Sequence, residues 1–318
     1  MATIKLRASG AEKCLSAQEQ QAKINEIRKL MGPIVSMFPV LCSEASMLRY
    51  LRARNWNTKK ASKMLKETLK WRLQYKPEEI RWEDVAHEAK TGKLYRADYF
   101  DKHGRTVLIM RPGFQSTSSV DMQIKYLVYC LERAIAELGT GQEQMVWLID
   151  FEKWNMSSIS VKVTRETAHV LQNHYPERLG LAILYNPPKV FESFWVMVKP
   201  FLEPKTTKKV KFVFSSNRES LKIMEELFDT NKLESIFGGR NPVKFNYEAY
   251  AKQMMEEDRK RTSCLRSGGL SPCASLLTSP DPASEASDEG DLSSDDETSH
   301  STKGSQLGRK AVANASTN

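Results

Sequence analysis

The chain has 318 residues, 27% of them charged and 40% apolar, enough for one or two domains whose core needs no disulfide or metal staple. Its formal charge of +9 is unevenly placed: residues 263–318 carry eight acidic and four basic side chains, so that stretch is −4 and the remainder is +13. No apolar run approaches the length of a membrane-spanning helix, the start lacks the apolar segment of a secretory signal, neither end shows a lipidation signal, and Cys14, Cys42, Cys130, Cys264 and Cys273 have no paired or metal-ligand spacing, as free thiols of a reducing compartment would. A cytoplasmic protein is expected, with transient, peripheral membrane contact. A basic body points to an anionic partner: phosphate, nucleic acid or a membrane surface.

Taken in chain order, residues 1–15 read as a flexible N-terminus and 16–90 as a helical subdomain. In Gln18–Met31, Ile24, Ile27 and Leu30 fall on one helical stripe. Ser43 can cap a helix entering Met47, Leu48, Tyr50 and Leu51. From Thr58 to Trp71, Ala61, Met64, Leu65, Thr68 and Leu69 follow i, i+3/i+4 spacing, with Thr58 as the expected cap and Pro77 beyond the end.

Over residues 91–250 short apolar runs alternate with longer helical stretches. The runs are Thr106–Met110, Met145–Ile149, Leu181–Tyr185 and Val210–Phe214; the helices are expected at 121–138, 161–173 and 189–201. The first three runs are almost wholly apolar, as strands buried on both faces must be. The fold class is therefore α/β, with a mostly parallel sheet preceded by the all-helical subdomain. A helix at Arg218–Phe228, a helical turn at Leu233–Phe237 and a charged helical end at 251–262 follow. Residues 263–318, rich in Ser, Asp, Glu, Pro and Gly, cannot bury enough apolar area to offset their ordering entropy and are expected to be disordered. Ser284 and Ser293 stand before acidic residues, a composition that suits acidic-directed kinases and a solubilising tail equally.

Enzyme and nucleic-acid readings find little support. The chain has no Gly-x-Gly-x-x-Gly, no Gly-x-x-x-x-Gly-Lys-Ser/Thr and no Gly-x-Ser-x-Gly. Position 91 is Thr, so His87-Glu88 lacks the second His of a metalloprotease helix. Asp150, His174 and Ser215 could be drawn into a triad, but any chain this long contains such residues. Basic residues are not interleaved with aromatics as a nucleic-acid module requires. Neither a cofactor nor a metal is expected, and the chain is expected to be a monomer.

Two stretches carry more information. One is Leu48-Arg49-Tyr50-Leu51-Arg52-Ala53-Arg54-Asn55-Trp56. The other runs from His174-Tyr175-Pro176-Glu177-Arg178-Leu179-Gly180 through Asn186-Pro187-Pro188 to Lys199-Pro200-Phe201-Leu202-Glu203-Pro204. Together they resemble the CRAL-TRIO lipid-binding family, and within it the phosphatidylinositol transfer branch, whose plant members often carry acidic or Ser-rich tails. The resemblance covers roughly residues 43–239. It implies a gated hydrophobic pocket that binds phosphatidylinositol, with room for a second phospholipid as ligand, and exchanges it between membranes or presents it to lipid kinases. A non-transporting lipid sensor or scaffold with another hydrophobic ligand is the alternative.

The residues agree with a lipid pocket. In 189–202, Val190, Phe191, Phe194, Trp195, Val198 and Leu202 form one apolar stripe, stiffened by Pro187-Pro188 and stopped by Pro204. Such a helix packs on a core or covers a cavity. The resemblance makes it the gate, with Phe191, Phe194, Trp195, Val198 and Phe201 as its apolar residues. It also implies a headgroup site of Arg54, Glu177, Thr206 and Lys209. Asn55 stands where the family often has Lys, and the neighbouring Lys208 is a cation that can compensate in part. Read without the resemblance, Glu177-Arg178 is a surface pair and Lys205, Lys208 and Lys209 are a solvated run or a patch for anionic lipid.

Overall fold

The computed structural model describes residues 15–158 and 160–266. Four N-terminal helices, α1 (Ala17–Met31), α2 (Ile34–Met37), α3 (Glu44–Ala53) and α4 (Thr58–Tyr75), pack around their own apolar cluster, centred on Ile27, Met47, Leu51, Ala61 and Leu65. Their boundaries follow local chemistry. Ser16 and Glu19 form a capping box at α1, and Ser43 caps α3. Asn57, not Thr58, caps α4 by accepting from the Lys60 N–H at 2.9 Å; Thr58 is its first residue, and its hydroxyl donates to Glu26 instead. The α1 stripe continues through buried Met31, while Leu30 is exposed.

Next, α5 (Trp82–Ala89) leads into β1 (Leu94–Phe100) and β2 (Thr106–Met110). The chain continues through α6 (Val120–Ala136), β3 (Met145–Asp150), α7 (Val161–His174), β4 (Leu179–Tyr185), α8 (Phe191–Val198), α9 (Pro204–Lys208), β5 (Val210–Val213), α10 (Arg218–Leu227) and α11 (Tyr247–Arg266). The five strands lie in sequence order, with β1 antiparallel to β2 and the other neighbours parallel. The mixed α/β sheet and the helical N-terminal region match the sequence expectation. β1 is an additional strand: polar Arg96 and Asp98 interrupt its apolar pattern and hide it from a periodicity reading. β2, β3 and β4 bury Val107, Leu108, Val146, Leu148 and Ile183 completely, each worth ~1.5–3 kcal/mol of transfer free energy.

Arg96 and Asp258 are buried in service of the fold. Arg96 donates to Glu257 at 2.5 and 3.1 Å, and Arg133 pairs with Asp258 at 3.0 Å. Asp258 also accepts from the Trp82 N–H at 2.7 Å. These bonds fasten α11 to α5, α6 and β1, which is why the charged C-terminal helix stays ordered against the body. It runs to Arg266, past the expected limit at 262. The acidic stretch that follows, like all but the last residue of the expected flexible segment 1–15, lies outside the described residues. Short turns link α10 to α11; a Cβ at Gly239 would fall 1.9 Å from the Leu233 carbonyl oxygen, so only glycine fits there.

The helical layer meets the sheet body along α4. Trp71 stacks on His174 with centroids 4.1 Å apart and planes 3° apart. Thr68 donates to the Asn173 carbonyl at 2.9 Å. Arg72 is held between Glu78 (2.6 Å) and Glu132 (2.9 Å), and Tyr175 donates to the same Glu132 at 2.7 Å. Burial, with smaller contributions from His169 and Arg72, pushes the His174 pKa down to about 4. The ordinary histidine value of the unfolded chain is ~6.5. A depressed histidine pKa means that the unfolded state takes up the proton first, so its contribution is present above ~6.5 and is lost as pH falls toward 4. The urea midpoint is expected to decline across that window, and His174→Gln to flatten the decline. An unchanged slope in the variant assigns the loss to other groups.

Candidate functional site

Two features lie side by side near the C-terminal end of α7: an aromatic helix and a charged cleft. α8 buries Phe191, Phe194 and Val198 against Phe151, Trp154 and Leu184, with Trp195, Phe201, Ile149, Val161 and Val210 packed around them. Phe191 meets Phe151 edge-on at 4.6 Å and Trp154 at 5.4 Å. Trp195 is half-buried, stacked on Phe191 at 6.3 Å and edge-on to Phe212 at 5.7 Å. The opposite face of the helix is mixed: Glu192 and Ser193 are exposed in its first turn, and Val196 is 71% and Met197 43% exposed in its second.

The helix is shorter than the sequence pattern suggests. Pro200 lacks an N–H and cannot extend it, so residues 199–201 tighten into a 3₁₀ turn that carries Phe201. Val190 precedes the helix and is half exposed, off the buried stripe. Pro204 does not end a helix but begins one, occupying the first position of α9, where a missing N–H costs nothing.

Gln172 fixes the path from α8 to α9. Its Nε2 donates to the Phe201 carbonyl at 3.0 Å and its Oε1 accepts from the Glu203 N–H at 2.5 Å. The cleft lies just beyond. Glu177, Thr206 and Lys209 line it together with Gln172, Glu203 and Lys205. Lys209 pairs with Glu177 at 3.0 Å. Glu177 adopts φ +58°, a left-handed conformation that a non-glycine residue holds only under local constraint. Arg54 does not line this cleft. It lies in the adjoining one with Asn55, Lys60, Glu203 and Lys205, and donates to Glu203 at 3.0 Å. Glu203 and Lys205 therefore bridge the two clefts, and the four residues singled out in the sequence are gathered around that bridge. Lys208 lies apart, in a surface hollow with Val196, Leu202 and Pro204.

Gln172, Glu203 and Lys205 escaped the sequence reading as site residues. Glu203 and Lys205 flank Pro204 in a conspicuous string, so position pointed toward them, but a polar residue near the end of α7 gives no signal of a contact across 31 positions. Among the described residues no cluster of His, Cys, Asp and Glu is arranged to hold a metal. Cys42 and Cys130 are buried free thiols whose pKa values burial pushes up to about 11 and about 12, so neither is an activated nucleophile.

An N-terminal helical layer, a sheet with three parallel pairings and an aromatic helix beside a cationic cleft define a class, and comparison with known proteins agrees. Residues 89–239 match the CRAL/TRIO domain and residues 40–67 the CRAL/TRIO N-terminal domain. The chain belongs to the CRAL/TRIO family. It is 32% identical over 228 residues to the phosphatidylinositol transfer protein PDR17 of Saccharomyces cerevisiae, covering 68% of this chain and 63% of that protein. It is 32% identical over 249 residues to a CRAL-TRIO domain-containing protein of Schizosaccharomyces pombe, covering 78% of this chain but only 24% of that much longer protein. With the SEC14 cytosolic factor of Kluyveromyces lactis the identity is 29% over 245 residues, 71% of this chain and 79% of that one. The crystal structure of Sfh5 shares the fold, with a TM-score of 0.57 at 14% identity over 78% of this chain and 99% of that one.

The packing separates two roles within α8. Phe194→Ala is expected to cost ~3–5 kcal/mol, as for a buried aromatic. Trp195→Ala, at a half-buried position, is expected to cost less than half as much. Urea unfolding of the two variants checks this, and equal losses would make the whole helix an ordinary core element.

Proposed function

We propose that this protein binds phosphatidylinositol, its acyl chains beneath α8 and its phosphoinositol group at the clefts around Arg54, Glu177, Thr206 and Lys209, and exchanges it between membranes. The observation that carries this reading is the continuity of α8 with the clefts. A helix with an aromatic inner face and an exposed apolar second turn runs within a few residues into a cluster of cations and a hydroxyl, the order of features along an anionic phospholipid. An ionised phosphate interacts well with Arg and Lys donors. Here Arg54 and Lys209 are each paired with one carboxylate at 3.0 Å, a partner that an incoming phosphate can share or replace.

The outer face of α8 supports membrane contact. Val190, Val196 and Met197 are exposed there, and Phe212 and Phe214 are exposed on and beside the edge strand β5. Buried in a bilayer interface, each methylene contributes ~0.8 kcal/mol. Opening at the membrane would let acyl chains cross without meeting water. Among the described residues no helix is long and apolar enough to span a bilayer, so this contact is peripheral in the proposed cycle. A lipid released in this way is available to lipid kinases, and the same apolar space can admit a second phospholipid. The named function of PDR17 and the family membership support lipid transfer as the general activity.

The double variant Arg54→Ala, Lys209→Ala is expected to lower phosphatidylinositol transfer between vesicles by at least tenfold with an unchanged unfolding midpoint, since a charge-assisted contact contributes ~1.5–3 kcal/mol. Full transfer by the folded variant removes the headgroup assignment. Trp195→Asp is expected to reduce lipid binding through the proposed gate.

Charge gives a separate expectation. The +13 remainder of the chain should bind anionic vesicles with an affinity that falls with salt, because the Debye length is ~10 Å at 0.1 M. Removing residues 263–318, which carry −4, should tighten that binding at low salt. Phosphorylation, adding about −1.5 to −2 per site, should weaken it. Co-sedimentation of full-length and truncated protein at two salt concentrations tests this; coincident curves show that the tail does not compete for the basic surface.

A further inference from the structure

A cavity of about 290 Å³ lies in the wedge between the helical layer and the sheet body, and it shares no lining residue with the aromatic cluster under α8. Phe38, Leu41, Leu65, Leu69, Leu73 and Ile135 give it an apolar wall. Arg49 and Arg178 also line it, and their charge is poorly balanced. Three guanidinium groups converge on Glu143: Arg49 and Arg52 pair with its carboxylate, Arg52 at 3.3 Å, and Arg178 donates to its main-chain carbonyl at 3.0 Å. Among the described residues no carboxylate lies within 4.0 Å of the Arg178 guanidinium. Burial and the neighbouring Arg49 lower its pKa to about 10. Glu143 and Glu132 offset this excess only in part, neither carboxylate lying in ion-pair contact with Arg178. Arg72 takes up Glu78 and Glu132, and buried His174 is neutral at physiological pH.

A guanidinium excess beside an apolar wall has a specific complement. Inorganic phosphate would neutralise the charge and leave the wall wet. A neutral alcohol would fill the wall and leave the charge. A two-chain phospholipid exceeds the space, because at about 290 Å³ the cavity lies at the small end of ligand pockets, which run to ~1,000 Å³. We propose that this cavity is a second ligand site that binds a single-chain anionic amphiphile, a medium-chain fatty acid. Its carboxylate meets Arg178 and Arg49, and its chain lies along Leu65, Leu69 and Leu73. The site stands whether or not phosphatidylinositol is the ligand beneath α8.

The test is isothermal titration of the full-length protein with decanoate below its micellar concentration, with decanol and inorganic phosphate as the controls. One saturable decanoate site is expected, with both controls at least tenfold weaker. Arg178→Gln and Leu73→Glu should each weaken decanoate at least tenfold, and prior loading with phosphatidylinositol should leave it bound. Leu73 is 39% exposed, so its variant decides the matter if Arg178→Gln does not fold. Decanol binding as tightly as decanoate overturns the proposal, as does phosphate binding as tightly. So does undiminished binding by the folded variants, or displacement of decanoate by phosphatidylinositol, which would place it under α8.

Discussion

The turn from α7 into β4 holds the molecule together at its most contested point. Within five residues, His174 stacks on Trp71 of α4, Tyr175 joins Arg72 and Glu132, Glu177 receives Lys209, and Arg178 reaches Glu143. The helical layer, the parallel sheet and the charged cleft thus share one short segment. Its backbone is pinned in a left-handed conformation at Glu177, which turns the carboxylate to Lys209, and β4 then pairs with β3 through a register shift between Met145 and Val146. A buried ion pair contributes little net stability in itself, but losing one partner of the Arg72–Glu132 pair leaves an uncompensated charge and costs ~3–5 kcal/mol. The arrangement therefore fixes the relation of the helical layer to the sheet more than it adds to the total.

The α8 region is built to the opposite specification. It is joined to the rest by apolar burial, which is non-directional, by edge-on aromatic contacts, and by the Gln172 side chain just beyond its C-terminal end. Its inner face packs on Phe151 and Trp154, and its outer face exposes Val196 and Met197 beside Glu192 and Ser193. The ionic joint lies on one side and the aromatic helix on the other, with the charged clefts between them.

Charge is distributed along the same lines. Buried Arg96, Arg133 and Asp258 fasten α11 to the body, although Nε and Nη2 of Arg133 have no hydrogen-bond partner. The cations near Glu203 are partly exposed and singly paired. The arginines around Glu143 outnumber their carboxylate. The first group explains why the charged C-terminal helix docks; the other two are where an anion from outside could be accepted.

Much of this was legible in the sequence. Apolar runs 106–110, 145–149 and 181–185 determined three central strands, since a strand covered on both faces must be apolar throughout, and the strings around Arg54, Tyr175 and Pro200 determined the family. Residue type also identified the cations and the aromatic helix, because burial and charge are properties of single side chains. β1 was not legible, because buried Arg96 there looks like a surface residue until Glu257, 161 positions away, supplies its partner. Nor was the separation of Arg54 from the Glu177–Lys209 cleft, the role of Gln172, or the shared dependence of three arginines on Glu143. Each is a relation between residues distant in sequence, and only the closed chain decides which distant groups come within a hydrogen bond of one another.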